Sequence, residues 1–198
     1  MSSLNIRRKL FHSLAFVFAF VYVWMGWLPA AVLSISTLVL FSIIEIWRLR
    51  DPDFPLNIIT RKLVKPEEQV RVAGYFYFVL AATILIFLFP ISIVVTSIVV
   101  AGVADAAAAL VGVKWGKHLF VARKRIKTLE GLAGGGAAAF LLTLALLYYF
   151  GGFYPLTSLI VAVVFVVLDY LTPPIDDNLL NPISIAVTLT LCRLVLQI

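Results

Sequence analysis

The chain has 198 residues, of which 63% are hydrophobic and only 13% are charged, whereas a soluble domain carries about 25% charged residues. This composition excludes a water-soluble globular enzyme with a single buried core. Cys192 is the only cysteine, which excludes a disulfide scaffold. The remaining fold class is an all-α polytopic transmembrane bundle, yet the net charge is +6 with 16 Lys and Arg residues. The positions of these charges are therefore the main clue to function.

A membrane-spanning helix needs about 20 consecutive apolar residues, and about seven segments of this sequence meet that requirement. Pro29, Pro90 and the glycine pair at 151–152 mark tight turns between them. We expect one integral membrane catalytic domain over residues 1–198. The predicted spans are Leu10–Leu28, Pro29–Trp47, Val72–Phe89, Pro90–Val113, Leu132–Phe150, Phe153–Leu171 and Leu179–Ile198.

The first apolar segment follows Arg7-Arg8-Lys9, an arrangement that secretory signal peptides share. The segment is about 19 residues long, has bulky aromatic residues near its end and has no small-residue cleavage site. We therefore expect a helix that is retained in the membrane.

The Lys and Arg residues are distributed very unevenly among the predicted loops. Met1–Lys9, Arg48–Arg71 and Lys114–Gly131 contain three, six and six of them, and the remaining one, Arg193, lies in the last span. Because basic loops stay on the cytoplasmic side, we expect a cytoplasmic N-terminus and an external C-terminus. All ten Asp and Glu residues map to the same side, which indicates one polar site open to the cytoplasm.

Asp105 is the most informative carboxylate. It precedes Val113 by eight positions, so it lies about 12 Å below the cytoplasmic end of its predicted helix. A charge at that depth costs about 2.5–3.5 kcal/mol, so we expect it to be functional or paired with a cation such as Arg193. Small residues follow it at Ala106–Ala109, Gly112 and Gly116 and permit close approach of a helix or a ligand.

The basic segment Lys114–Gly131 has two interpretations. Its six cations are accounted for by contact with anionic lipid head groups. It also ends directly before a predicted span, with Thr128 as the expected N-cap. The free amides and positive dipole at a helix N-terminus attract phosphate, and Lys127 would add a point charge. The chain has no Walker A motif, so a nucleotide site would be of another kind.

Carboxylates near the last two predicted spans suit a magnesium site. Asp169 lies near the end of one span and Asp176-Asp177-Asn178 follows it, and Mg²⁺ prefers such oxygen ligands. The alternative is that the second group only caps the last span. His12 and His118 are too far apart, and Cys192 too isolated, to predict zinc. The basic residues lie beside the membrane, so no nucleic-acid partner is expected.

Two further charged pairs have simple alternatives. Arg8 and His12 are four residues apart and share a helix face, although the basic run alone is explained by topology. Glu45 and Arg48 are three residues apart and would neutralise each other.

Four motifs occur in order along the sequence. They are Arg8-Lys9-x-x-His12, Asp105-x-x-Ala-x-x-x-Gly112-x-x-x-Gly116-Lys117, Lys127-Thr128-x-Glu130-Gly131 and Asp177-Asn178-x-x-x-Pro182. Taken together, these motifs resemble the polyprenol kinase family, which includes dolichol kinase, phytol kinase and the CTP-dependent diacylglycerol kinase, and is related to the phosphatidate cytidylyltransferases. Minor matches lie at Glu45 and Arg48 and at the start of the third span. The resemblance covers residues 7 to 182.

The resemblance implies transfer of the γ-phosphate of CTP to a membrane lipid alcohol of the dolichol type, with Mg²⁺ or another divalent cation. It departs from the family at Leu132, where a small hydroxyl residue is common, and at Asp169, where Glu is common. The implied catalytic residues are Arg8, Lys9, His12, Asp105 and Lys127. The implied nucleotide-binding residues are Gly112, Gly116, Lys117, Lys127, Thr128, Glu130, Gly131 and Asn178. The implied metal ligands are Asp105 and Asp177.

Other functions remain open on the sequence alone. A cytidylyltransferase that makes a CDP-lipid would use the same nucleotide and metal, but the sequence has no glycine- and histidine-containing signature near the C-terminus, where Asp177-Asn178 stands instead. A transporter would also place charges inside spans, and a membrane scaffold leaves Asp105 unexplained. We expect an integral protein of the cell membrane or an endoplasmic reticulum equivalent, active at the cytoplasmic face and able to form homo-oligomers.

Overall fold

The computed structural model describes residues 16–51, 55, 69–122, 125–152 and 154–196. The chain divides into two compact units, Met1–Leu88 and Phe89–Ile198. Seven helices and one β-hairpin are present in the described residues, which confirms the helical class. The hairpin lies in a segment that was predicted to be an irregular loop.

The first unit contains α1 (Phe16–Met25), α2 (Trp27–Arg50) and α3 (Gly74–Leu88). The predicted break at Pro29 is wrong, because the chain turns at Gly26, whose φ of 90° lies in the left-handed region that favours glycine. Pro29 is accommodated in the first turn of α2, where a backbone N–H has no helical partner to lose. The Trp27 indole N–H donates to the Ile86 carbonyl at 3.0 Å and joins α2 to α3.

The second unit contains α4 (Ile91–Trp115), β1 (Leu119–Ala122), β2 (Arg125–Thr128), α5 (Leu129–Tyr149), α6 (Pro155–Leu171) and α7 (Asp177–Leu196). Helix α5 packs between α4 and α6, and α7 packs against the same two helices, so the four form a closed bundle. The strands pair antiparallel.

Glycines allow α4 and α5 to approach closely. A Cβ at Gly131 would lie 2.8 Å from the Ala108 carbonyl oxygen, and one at Gly135 would lie 2.9 Å from both the Ala108 Cβ and the Phe165 ring. Larger residues would force the helices apart. Such small-residue contacts are typical of helices that associate in a membrane.

Four described helices, α2, α4, α5 and α7, are long and apolar enough to cross a membrane. Helices α1, α3 and α6 are also apolar but shorter, at 10–17 residues. The helical class is therefore confirmed, and the length and composition of these four helices are compatible with a membrane protein. Several helices begin earlier than predicted: α5 starts at Leu129 rather than Leu132, and α7 starts at Asp177 rather than Leu179.

Candidate functional site

We call one end of the second unit the hairpin end, because it contains the β-hairpin 119–128. Helices α4 and α6 end there, and helices α5 and α7 begin there. Lys127 contacts the end of α6, and α7 starts six residues after Leu171. Every described residue of the predicted site belongs to this half of the unit. These residues are Asp105, Gly112, Gly116, Lys117, Lys127, Thr128, Glu130, Gly131, Asp177 and Asn178. Arg8, Lys9 and His12 lie outside the described residues.

Thr128 caps α5 as predicted. Its Oγ1 accepts a hydrogen bond from the Gly131 N–H at 3.0 Å, which satisfies one of the unpaired amides of the first turn. The cap keeps the N-terminus of α5 ordered, with the positive end of its dipole at the hairpin end.

Gly112 and Gly116 make room for Thr128. A Cβ at Gly112 would lie 2.8 Å from the Thr128 Oγ1, and one at Gly116 would lie 2.5 Å from its Cγ2. At Gly116 the added atom would also meet the Gly112 carbonyl at 2.3 Å. These two glycines therefore fit the capped start of α5 against the end of α4, a packing role that needs no ligand.

Glu130 closes the base of the hairpin. Its carboxylate accepts the backbone N–H groups of Lys117 at 3.1 Å and His118 at 3.2 Å. The His118 Nδ1 lies 2.6 Å from the Glu130 Oε1, and the Leu129 N–H donates to the His118 carbonyl at 3.0 Å. The role of His118 was not predictable from local spacing, because its partner Glu130 is twelve residues away and lies across the hairpin.

Lys127 connects the hairpin to α6. Its Nζ donates to the Asp169 backbone carbonyl at 2.7 Å and to the Asp169 Oδ1 at 2.5 Å. The two side chains are 20% and 13% exposed. Phe120 and Tyr170 stack at 5.2 Å between ring centroids beside this pair. The sequence suggested Asp169 as one of the carboxylates near a magnesium site, and the structure pairs it with Lys127.

The start of α7 is capped by Asp176. The Asp176 Oδ1 accepts the Asn178 N–H at 3.0 Å and its side-chain amide at 2.8 Å. Capping was the alternative to metal binding for the Asp176–Asn178 segment, and Asp176 and Asn178 make these capping contacts. Asp177 becomes the first residue of α7 and is half-buried.

Asp105 is exposed and lies ten residues before the end of α4, about 15 Å along the helix axis. Among the described residues, no group of three or more His, Cys, Asp or Glu side chains is placed to hold a metal ion by itself. Mg²⁺ commonly uses one or two carboxylates and completes its shell with water and phosphate oxygens. Asp105 and Asp177 lie on α4 and α7, two helices that pack together, and are the two carboxylates that could contribute to such a shell.

A second polar cluster lies in the first unit. The Glu45 carboxylate accepts from the Arg48 guanidinium at 2.6 and 2.9 Å, and both side chains are buried. Arg48 also donates to the Gln69 and Arg71 carbonyls at 3.1 and 2.7 Å. The expected neutralisation of Glu45 by Arg48 is therefore confirmed.

Comparison of the chain with models of known protein families, with curated proteins and with solved structures finds no match.

Proposed function

We propose that the protein is a lipid-alcohol kinase that transfers the γ-phosphate of CTP to a polyprenol-type alcohol, as its resemblance to the polyprenol kinases implies. The observation that carries the proposal is the arrangement of three separate motif segments at the hairpin end of one packed helical unit. These segments are the second half of α4, the strand β2 with the start of α5, and the start of α7. Phosphoryl transfer depends mainly on positioning and on electrostatic stabilisation, and both are available there.

The start of α5 would bind the phosphates. The Gly131 N–H of the first turn donates to Thr128 and the Leu129 N–H donates to the His118 carbonyl, so the attraction for an anion would come mainly from the helix dipole. Lys127 immediately precedes the cap, and its ammonium group is in reach of the same region when it exchanges the Asp169 carboxylate for a phosphate oxygen. Arg8 and Lys9 would add positive charge, as the resemblance implies, and His12 or a carboxylate would accept the proton of the lipid hydroxyl.

Asp105 and Asp177 would hold Mg²⁺, which neutralises charge on the phosphates when it is bound. Asp105 is exposed on a helix long enough to cross a membrane, so an alcohol on an apolar tail can approach it laterally. We further propose that the chain crosses the membrane seven times and that the hairpin end faces the cytoplasm, in line with the distribution of Lys and Arg.

Labelled nucleotide tests the reaction directly. The purified protein is incubated in liposomes with Mg²⁺, with CTP or ATP labelled at either the α or the γ phosphate, and with either a lipid alcohol (dolichol, phytol or diacylglycerol) or phosphatidic acid, the lipid phosphate that a cytidylyltransferase requires. Transfer of the γ label alone to the lipid is expected. Transfer of the α label instead would make the protein a cytidylyltransferase, the second candidate, which the same helix N-terminus and metal ligands would serve equally well. Transfer of neither label, from CTP or ATP, would contradict both functions.

A further inference from the structure

The β-hairpin has two chemically different faces. One face carries Phe120, Ala122 and Lys127. Phe120 stacks on Tyr170, Ala122 is buried, and Lys127 binds Asp169. Side chains alternate between the faces of a strand, and Val121 pairs directly with Ile126. The opposite face therefore presents three aliphatic side chains, and these are among the most exposed in the second unit. They are Leu119, Val121 and Ile126, at 68%, 74% and 72% exposure.

The hairpin is held at the level of the helix ends. Three residues separate Trp115, the last residue of α4, from β1, and β2 runs directly into α5. Both helices are long and apolar enough to cross a membrane. If they do so, a hairpin with such short connections cannot extend far from the bilayer surface.

The residues around the hairpin suit a membrane interface. Trp115 is exposed at the end of α4, and the Lys114 Nζ lies 4.6 Å from the centre of its ring. Tryptophan and lysine are typical anchors at the boundary between hydrocarbon and water. Lys117 is also exposed. Positive charge beside an exposed apolar face complements a surface of anionic lipid.

We propose that the aliphatic face of the hairpin, formed by Leu119, Val121 and Ile126, inserts into the head-group region of the bilayer, with Lys114 and Lys117 on anionic lipid. The proposal concerns a lipid-binding surface and does not depend on the nucleotide chemistry. It accounts for the exposure of three aliphatic side chains on a segment that carries six cations.

Depth-dependent quenching in nanodiscs tests this. Val121→Cys and His118→Cys are each made in a Cys192→Ala background and labelled with an environment-sensitive nitrobenzoxadiazole dye. The nanodiscs contain phosphatidylcholine and phosphatidylglycerol, with or without a lipid that carries a nitroxide near its head group. His118 is a matched control because its side chain is 74% exposed but adjacent to the aliphatic face rather than on it.

The dye at 121 is expected to emit at shorter wavelength than the dye at 118 and to lose more of its emission when the nitroxide lipid is present. Equal, water-like emission at both positions would overturn the proposal. So would blue-shifted emission at 121 that the nitroxide does not quench, because the face would then be covered by protein, such as a second copy of the chain. Ile126→Cys, which lies opposite Val121 on the same face, must behave like Val121→Cys and replaces it if that variant does not retain the helical circular dichroism of the parent.

Discussion

Two carboxylate–cation pairs, one in each unit, have different surroundings. Glu45 and Arg48 are 4% and 5% exposed, whereas Asp169 and Lys127 are 13% and 20% exposed. The first pair is three residues apart on one helix and the second is 42 residues apart on different elements. Their local sequences do not distinguish a structural pair from a functional one, but their surroundings do.

Both members of the buried pair form several further hydrogen bonds with neighbouring residues of the chain. Glu45 also accepts the Ala73 N–H at 3.1 Å and the Tyr75 hydroxyl, while the guanidinium of Arg48 donates to two further carbonyls. Buried charges with this many hydrogen bonds fix the geometry around them and cannot exchange partners without a large cost. This pair therefore joins the end of α2 to the chain that leads into α3.

The pair at the hairpin end is differently placed. The ammonium group of Lys127 can donate three hydrogen bonds. Asp169 accepts two of them, one at its backbone carbonyl and one at its carboxylate. Because the Lys127 side chain is 20% exposed, we propose that a phosphate oxygen replaces the carboxylate while the carbonyl continues to hold the side chain. The comparison predicts that substitutions at the first pair change stability and that substitutions at the hairpin end change nucleotide use.

The largest effect is expected for Asp105→Asn. Loss of the proposed metal-binding charge should abolish phosphoryl transfer, a loss of more than about a thousandfold, and the helical fold and membrane insertion should be retained. Turnover with γ-labelled CTP and circular dichroism of the same preparation measure the two properties. Asp51→Asn, which removes the same charge at the end of α2, is the control and should remain active. Full activity of Asp105→Asn would refute the proposed site.

Arg48→Met is expected to lower the free energy of unfolding by about 3–5 kcal/mol, because it leaves the buried Glu45 carboxylate without its cation. Thermal unfolding in detergent measures the change, and turnover per folded molecule should be unaffected. The double variant Glu45→Gln, Arg48→Met removes both charges and should recover part of the loss. Loss of turnover in a variant of normal stability would mean that this pair also belongs to the reaction.

Much of the architecture was predictable because long apolar runs identify membrane-type helices without any knowledge of their partners. The N-cap at Thr128 was predictable for a similar reason, since capping depends only on neighbouring residues. The starts of the predicted spans were less accurate than this cap. Glu130 and Asp177 were left outside the spans because they are charged, yet acidic residues in the first turn of a helix are stabilised by the helix dipole.

The hairpin and its ion pairs were not predictable. Two strands of four residues each give too short a pattern to stand out in a segment with six cations. The pairing of Lys127 with Asp169 depends on how α6 packs beside the hairpin, which no local spacing reveals. The role of Gly112 and Gly116 was open for the same reason: their sequence context suits a ligand site, and their neighbour in the structure is Thr128.

Asp169→Asn tests whether the exposed pair exchanges its carboxylate for phosphate. The variant retains the backbone carbonyl that holds Lys127 and removes the competing negative charge. Since partly exposed pairs contribute up to about 1 kcal/mol, the KM for CTP should fall by up to about fivefold with little change in kcat. Steady-state kinetics at constant ionic strength measure this, again with Asp51→Asn as the charge control. An unchanged KM would mean that this pair, like Glu45 and Arg48, is purely structural. A large fall in kcat would instead mean that Asp169 takes a direct part in the reaction.

The smallest effect is expected at the cap that links packing to the proposed phosphate site. Thr128→Ala removes the oxygen that accepts the Gly131 N–H and should lower the free energy of unfolding by about 1 kcal/mol. Thr128→Ser keeps that oxygen and removes only the methyl group that lies closest to Gly116, so it separates capping from packing. If the cap orders the α5 N-terminus for phosphate, Thr128→Ala should raise the KM for CTP and Thr128→Ser should not. Equal kinetics in the two variants, with equal loss of stability, would instead assign Thr128 to the packing of α5 against α4 alone.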